Sequence, residues 1–183
     1  MGRWAAPSPP PVVGYQQPPA YDTHSIFSNV ELQVAARPFR LSSALTVDRI
    51  RWRGHYRAAL PTGFQPGRFQ IVLYGEPPAS GGERPLLSVD VATTMTDTSR
   101  TIPDSSPFAG LPVFQYEAVF YRGIPLAADK EYWISVAESN HGSGRWLWSA
   151  SFFYGDVSTT GQGGGWLTGA NWLPSIWLAG PGV

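Results

Sequence analysis

The sequence predicts an all-β fold, an antiparallel β-sandwich of jelly-roll type with eight or nine strands and an extended proline-rich N-terminal arm. Three observations predict it. From about Ser28 onward, apolar residues alternate with polar ones in short runs broken by clusters of Gly, Pro, Asn and Asp. No run carries the 3.6-residue apolar period of a long helix, so the helical crossovers of a parallel sheet have no place in the chain. Residues 1–27 follow neither period and hold Pro7, Pro9, Pro10, Pro11, Pro18 and Pro19. The expected division is therefore an arm over 1–27 and a sandwich over 28–183.

In the arm, each proline ring fixes φ and removes an N–H donor, which favours polyproline II over any ladder pairing. Trp4, Pro9, Pro10, Pro11, Tyr15, Pro18, Pro19 and Tyr21 are its expected partner-contacting residues, since rings on an extended chain are its only sizeable apolar surface. Pro18-Pro19-Ala20-Tyr21 also matches a P-P-x-Y ligand of WW domains. Four residues of that kind arise readily in proline-rich sequence, and no function is drawn from them.

The strands follow in order. Val30, Leu32 and Val34 alternate, and Phe39 with Leu41 continues or pairs with them. Ile50, Trp52, Gly54 and Tyr56 share one face, whereas Leu45 and Val47 have the opposite parity, so a bulge is expected near Asp48 and Arg49. Phe69, Ile71 and Leu73 lie between the turn signals Pro66-Gly67 and Gly75-Glu76-Pro77-Pro78. Leu87, Val89 and Val91 come next, and the Thr/Asp/Ser stretch up to Pro103 reads as a loop. Phe114 to Phe120, Tyr132 to Val136, Trp146 to Tyr154 and Ile176 to Leu178 complete the set, with Gly161 to Gly165 as a hairpin loop. Trp52, Trp146 and Trp148 fall on core positions.

Composition narrows the function. Thirteen basic and thirteen acidic residues cancel, which excludes bulk attraction to nucleic acid or to an anionic membrane. Charged residues are 14% of the chain, against about 25% in ordinary soluble domains, so the surface carries few charges. The absence of Cys removes disulfides and thiolate metal sites. No stretch reaches the roughly 18 apolar residues of a membrane span, and the N-terminus has no secretory pattern. The expected route is synthesis in a host cytoplasm and residence in an extracellular particle.

His24, His55 and His141 lack metal-ligand spacing, and no metal or cofactor is expected. No strand-turn-helix G-x-S-x-G element seats a nucleophile. Gly161 to Gly165 lacks the Lys and Ser/Thr of a phosphate loop. Glu117, Glu131 and Glu138 are the carboxylates that a glycosidase pair would draw on, but solvent-facing carboxylates on strands are common, and the chain is read as not an enzyme.

Two features point instead to contact surfaces. Period two places Arg49, Arg51, Arg53, His55 and Arg57 opposite the core face of their strand, a basic stripe suited to carboxylates or phosphates. Pairing with Asp or Glu on neighbouring strands is the competing role, favoured by the balanced charge. Trp166 and Trp172 stand in Gly- and Asn-rich sequence expected to be loop, and are the indoles expected to meet a glycan or a protein interface.

The ordered series Phe39-x-Leu41, Val47-x-x-Ile50-x-Trp52-x-Gly54-x-Tyr56, Phe69-x-Ile71-x-Leu73-Tyr74, Leu126-x-Ala128-x-x-x-Tyr132-Trp133-Ile134-Ser135-Val136 and Trp146-x-Trp148 covers roughly Phe39 to Leu178. It resembles the β-sandwich modules of bacterial exported and surface-anchored proteins. That resemblance implies the sandwich and, as one function, an adhesion or carbohydrate-binding module. The chain shows neither an export signal nor an anchor after its last strand, and a free-standing sandwich with a proline-rich arm looks more like a structural component of a phage or phage-like particle. Capsid decoration, with the arm gripping neighbouring subunits, is the expected function, and other particle subunits the expected partners.

Overall fold

The structure is a computed structural model that describes residues 12–17, 25–28, 33–61, 64, 68–78, 84–103, 106–139, 146–160 and 166–181. Among the described residues the regular elements are twelve strands. They are β1 (Val12–Gln17), β2 (Ser25–Phe27), β3 (Ala35–Arg40), β4 (Leu45–Tyr56), β5 (Phe69–Tyr74), β6 (Leu87–Val91), β7 (Thr94–Thr101), β8 (Pro112–Leu126), β9 (Glu131–Glu138), β10 (Trp146–Thr160), β11 (Trp166–Pro174) and β12 (Ile176–Gly180). All pairings are antiparallel, and they form the two layers of a β-sandwich.

In the first sheet, β7 pairs β8 and β8 pairs β4. The far edge of β4 is shared, with Arg49 to Trp52 meeting β12 and Gly54 to Tyr56 meeting the start of β10. Beyond these lie β1 on β12 and β2 on β10. The second sheet runs β11-β10-β3-β9-β5-β6. Long β10 therefore belongs to both layers, its first residues to one and its last to the other.

Alternation explains the core. Ile50, Trp52 and Tyr56 of β4, Phe114, Tyr116 and Ala118 of β8, Phe69, Ile71 and Leu73 of β5, and Tyr132, Ile134 and Val136 of β9 all point between the sheets and are buried. Trp52 stacks on Tyr116 with ring centroids 5.9 Å apart, and Phe69 from the opposite sheet meets Trp52 edge-on at 5.3 Å and Trp146 at 5.0 Å. The expected bulge is present: Val47 pairs Ile124 while Arg49 pairs Val119, which leaves Asp48 opposite the longer insertion Phe120 to Gly123 of β8.

Four strands, β1, β2, β7 and β11, lie where the sequence predicts none. The polar stretch read as a loop forms β7, an edge strand on β8. Its side chains are mostly exposed, so it has no apolar period to read. Within the expected arm, β1 and β2 pair with β12 and β10, since strand pairing needs only backbone groups and residues 12–17 contain no proline.

Gly54 lets β10 approach β4. A Cβ there would lie 2.5 Å from two ring carbons of Trp146 and 2.6 Å from the carbonyl oxygen of Leu147. Gly54→Ala is expected to lower unfolding free energy by about 1–3 kcal/mol, the usual cost of overpacking, as measured by urea denaturation.

Candidate interaction surface

The parity that turns Ile50 and Trp52 inward turns Arg49, Arg51 and Arg53 outward, where all three are half-exposed on the outer face of the first sheet. The register sets Val119, Glu117 and Gln115 of β8 beside them on one side, and Ala179 and Trp177 of β12 beside Arg49 and Arg51 on the other. Arg51 Nε donates to the Glu117 carboxylate. Both groups keep solvent access, so the pair contributes roughly 0–1 kcal/mol. The Arg53 guanidinium lies 5.5 Å over the Trp177 ring. Arg51 thus has a carboxylate partner and Arg53 an aromatic one, and among the described residues Arg49 shows no ion pair.

His55, expected on the same stripe, is buried. Its ring lies 5.3 Å from that of Phe108, and its Nδ1 is 3.1 Å from the Tyr56 carbonyl oxygen. Phe108 arrives on the turn between β7 and β8, whose close at Gly110 has φ +77°, a conformation that favours glycine. Burial pushes the His55 imidazole below its ordinary pKa. Arg57, one residue past the strand, is exposed.

The β8 insertion adds a feature that alternation hides. Tyr121 is fully exposed and Val119 is 57% exposed, next to exposed Arg122, while Phe120 reaches back to the margin of the core. Phe120 extends the series Phe114, Tyr116 and Ala118 in sequence, so the insertion after it leaves no mark on the period.

Of the arm residues, Trp4, Pro9, Pro10, Pro11, Pro18, Pro19 and Tyr21 lie outside the described residues. Tyr15 is placed against its own domain. Its ring is 5.5 Å from that of Phe39, and its hydroxyl accepts a 2.7 Å hydrogen bond from Arg37 Nη2. Arg37, which sequence reasoning does not single out, is fully buried between the sheets. Its remaining bonds go to backbone carbonyls: Nη1 to Pro174 at 2.7 Å, and Nε and Nη2 to Pro38 at 3.0 and 2.7 Å. Burial lowers its pKa to about 10 and raises that of the Tyr15 hydroxyl.

Trp166 and Trp172 lie on β11 rather than in loops, paired with Thr160 and Tyr154 of β10; their side chains lie outside the described residues. The three glutamates are not brought together. Glu117 is on the outer face, Glu131 is exposed at the start of β9, and Glu138 is buried and accepts a 2.8 Å bond from the Tyr56 hydroxyl. His24 and His141 lie outside the described residues. An apolar cavity between the sheets, lined by Phe39, Val47, Ile71, Leu126 and Leu178 among others, measures about 10 Å³ and has room for at most one water. Compared with known families and with curated proteins, the sequence matches no family model and no curated sequence.

Tyr15→Phe is expected to cost about 1–3 kcal/mol in urea denaturation, because a buried guanidinium N–H loses its acceptor. His55 gives a pH signature. Its folded pKa is depressed from 6.5, so its contribution to stability is complete above about pH 6.5 and declines as the pH falls toward the folded value. His55→Asn should flatten that part of the stability–pH curve, measured by denaturant titration between about pH 5 and 7.

Proposed function

We propose that the chain is a non-enzymatic structural protein of a virion or phage-like particle, a shell-decorating subunit whose N-terminal residues reach a neighbour. The observation that carries this reading is the attachment of the leader. Strand β1 joins the edge of the first sheet through β12 and is pinned by Tyr15, so the proline-rich sequence before Val12 is joined to a strand fixed on the body. In polyproline II geometry each residue spans about 3 Å, so roughly ten residues of such sequence would cross to an adjacent subunit. The low density of charge also suits close lateral packing in a symmetric lattice.

The test separates the leader from its anchor. Deletion of residues 1–11 spares β1, whereas deletion through Gln17 also strips Tyr15 from Arg37 and confounds assembly with folding. In particles banded from producing cells on a density gradient, peptide mass spectrometry should find the full chain and about tenfold less of the 1–11 deletion. Equal incorporation refutes the bridging role. Absence of the full chain from the band refutes the particle reading. Glycan binding by the free chain, lost on Trp166→Ala and Trp172→Ala, would put an adhesion module in its place.

A further inference from the structure

We infer that the outer face of the first sheet, from Trp177 across the arginine ladder to the β8 insertion, is a second docking surface, and that its occupant is an acidic protein surface on a neighbouring shell subunit. The inference rests on the particle reading and assigns the contact made by the body, as distinct from the leader.

Charge sets the chemistry of the occupant. Arg49, Arg51 and Arg53 stand on alternate residues of β4, with Arg122 exposed at the insertion, against Glu117 on the face and Asp48 at the bulge. A chain with no net charge therefore concentrates positive charge here. Alternate residues on a strand are roughly 7 Å apart, so the ladder sets positive charge at regular intervals opposite a facing surface, which favours carboxylates there. An acidic surface is attracted, and a basic one is turned away by like charge.

Residue type favours a protein as the occupant. Arg, Trp and Tyr are the residues most enriched at energetic centres of protein interfaces. Here Trp177 and the arginines lie side by side on the outer face, with exposed Tyr121 on the adjoining insertion and half-exposed Gln115 and exposed Thr94 and Thr96 toward the β7 edge. Val119 and Tyr121 are two of the large apolar side chains left exposed among the described residues, and Val119 pairs with Arg49. Nucleic acid fits less well, because a chain with no net charge lacks the bulk attraction that binding to a phosphate backbone draws on. A sugar fits less well too, because the Arg53 guanidinium covers one face of the Trp177 indole.

The experiment compares two full-length variants with the wild-type chain. One is the charge reversal Arg49→Glu with Arg53→Glu, which spares the Arg51–Glu117 pair. The other is Val119→Ser with Tyr121→Ala. Thermal unfolding of each checks the fold, and occupancy on gradient-purified particles is measured by quantitative peptide mass spectrometry. Each variant should fall about tenfold or more in occupancy, and wild-type chain should be released as salt rises from about 0.1 to 1 M. If the charge reversal fails to fold, the Val119/Tyr121 variant, which alters only exposed side chains, decides alone. Wild-type chain present with both variants within twofold of it overturns this surface and leaves the particle reading standing. Absence of the wild-type chain overturns both. Arginine-dependent retardation of a single-stranded oligonucleotide, or binding to heparin, would overturn the protein occupant.

Discussion

The two sheets share strand β10, whose place in the first sheet is set by the seating of the Trp146 ring against the bare backbone of Gly54. Because β10 pairs with β4 at its start and with β3 and β11 at its end, its position at Gly54 determines how the layers face each other. With the ring seated there, Phe69 from the far sheet meets both Trp146 and Trp52, and Tyr116 closes the group at 5.9 Å from each indole. Four aromatic residues from four strands are then buried in mutual contact. A large shared apolar area of this kind can offset the entropy of ordering strands that are distant in sequence.

That dependence explains which parts of the fold are legible in the sequence. Period two on β4, β5, β8, β9 and β10 marks the face that enters the core, although on β9 every residue from Tyr132 to Glu138 is buried. The parity break between Val47 and Ile50 even locates the bulge. Strand β7 escapes because it is an edge strand held by backbone pairing to β8 and by contacts such as Thr98 Oγ1 to the Val113 carbonyl at 2.6 Å. An exposed ladder places no demand on side-chain hydrophobicity. The same holds for β1, whose Gln16 is exposed and whose residues carry no apolar alternation.

The candidate surface divides along the same line. Arg49, Arg51 and Arg53 are readable as an outward ladder because they alternate with core residues, and the Glu117 partner is foretold by balanced charge. His55 follows the same parity and yet is buried, because the turn carrying Phe108 folds over it from a distant part of the chain. Tyr121 is invisible to the pattern for the opposite reason. The insertion in β8 lifts it out of register, and only the pairing of Val119 with Arg49 and of Ile124 with Val47 reveals the extra residues.

Arg37 constrains how the leader can act. A guanidinium buried with only neutral acceptors has already lost its hydration, so each hydrogen bond to it counts for more than an exposed one. Three of its bonds go to backbone carbonyls inside the body, and the fourth goes to the Tyr15 hydroxyl, the only one supplied by β1. Peeling β1 away would leave a donor of that cation without its acceptor and uncover Phe39, whose ring Tyr15 meets. Undocking is therefore disfavoured by both a polar and an apolar contact, and β1 behaves as part of the sandwich. On the proposed reading, a grip on a neighbour would come from parts of the arm other than β1, and the arginine face lies on the outer side of the same sheet. Were both proposed contacts made, a subunit tethered by one would gain effective concentration for the other.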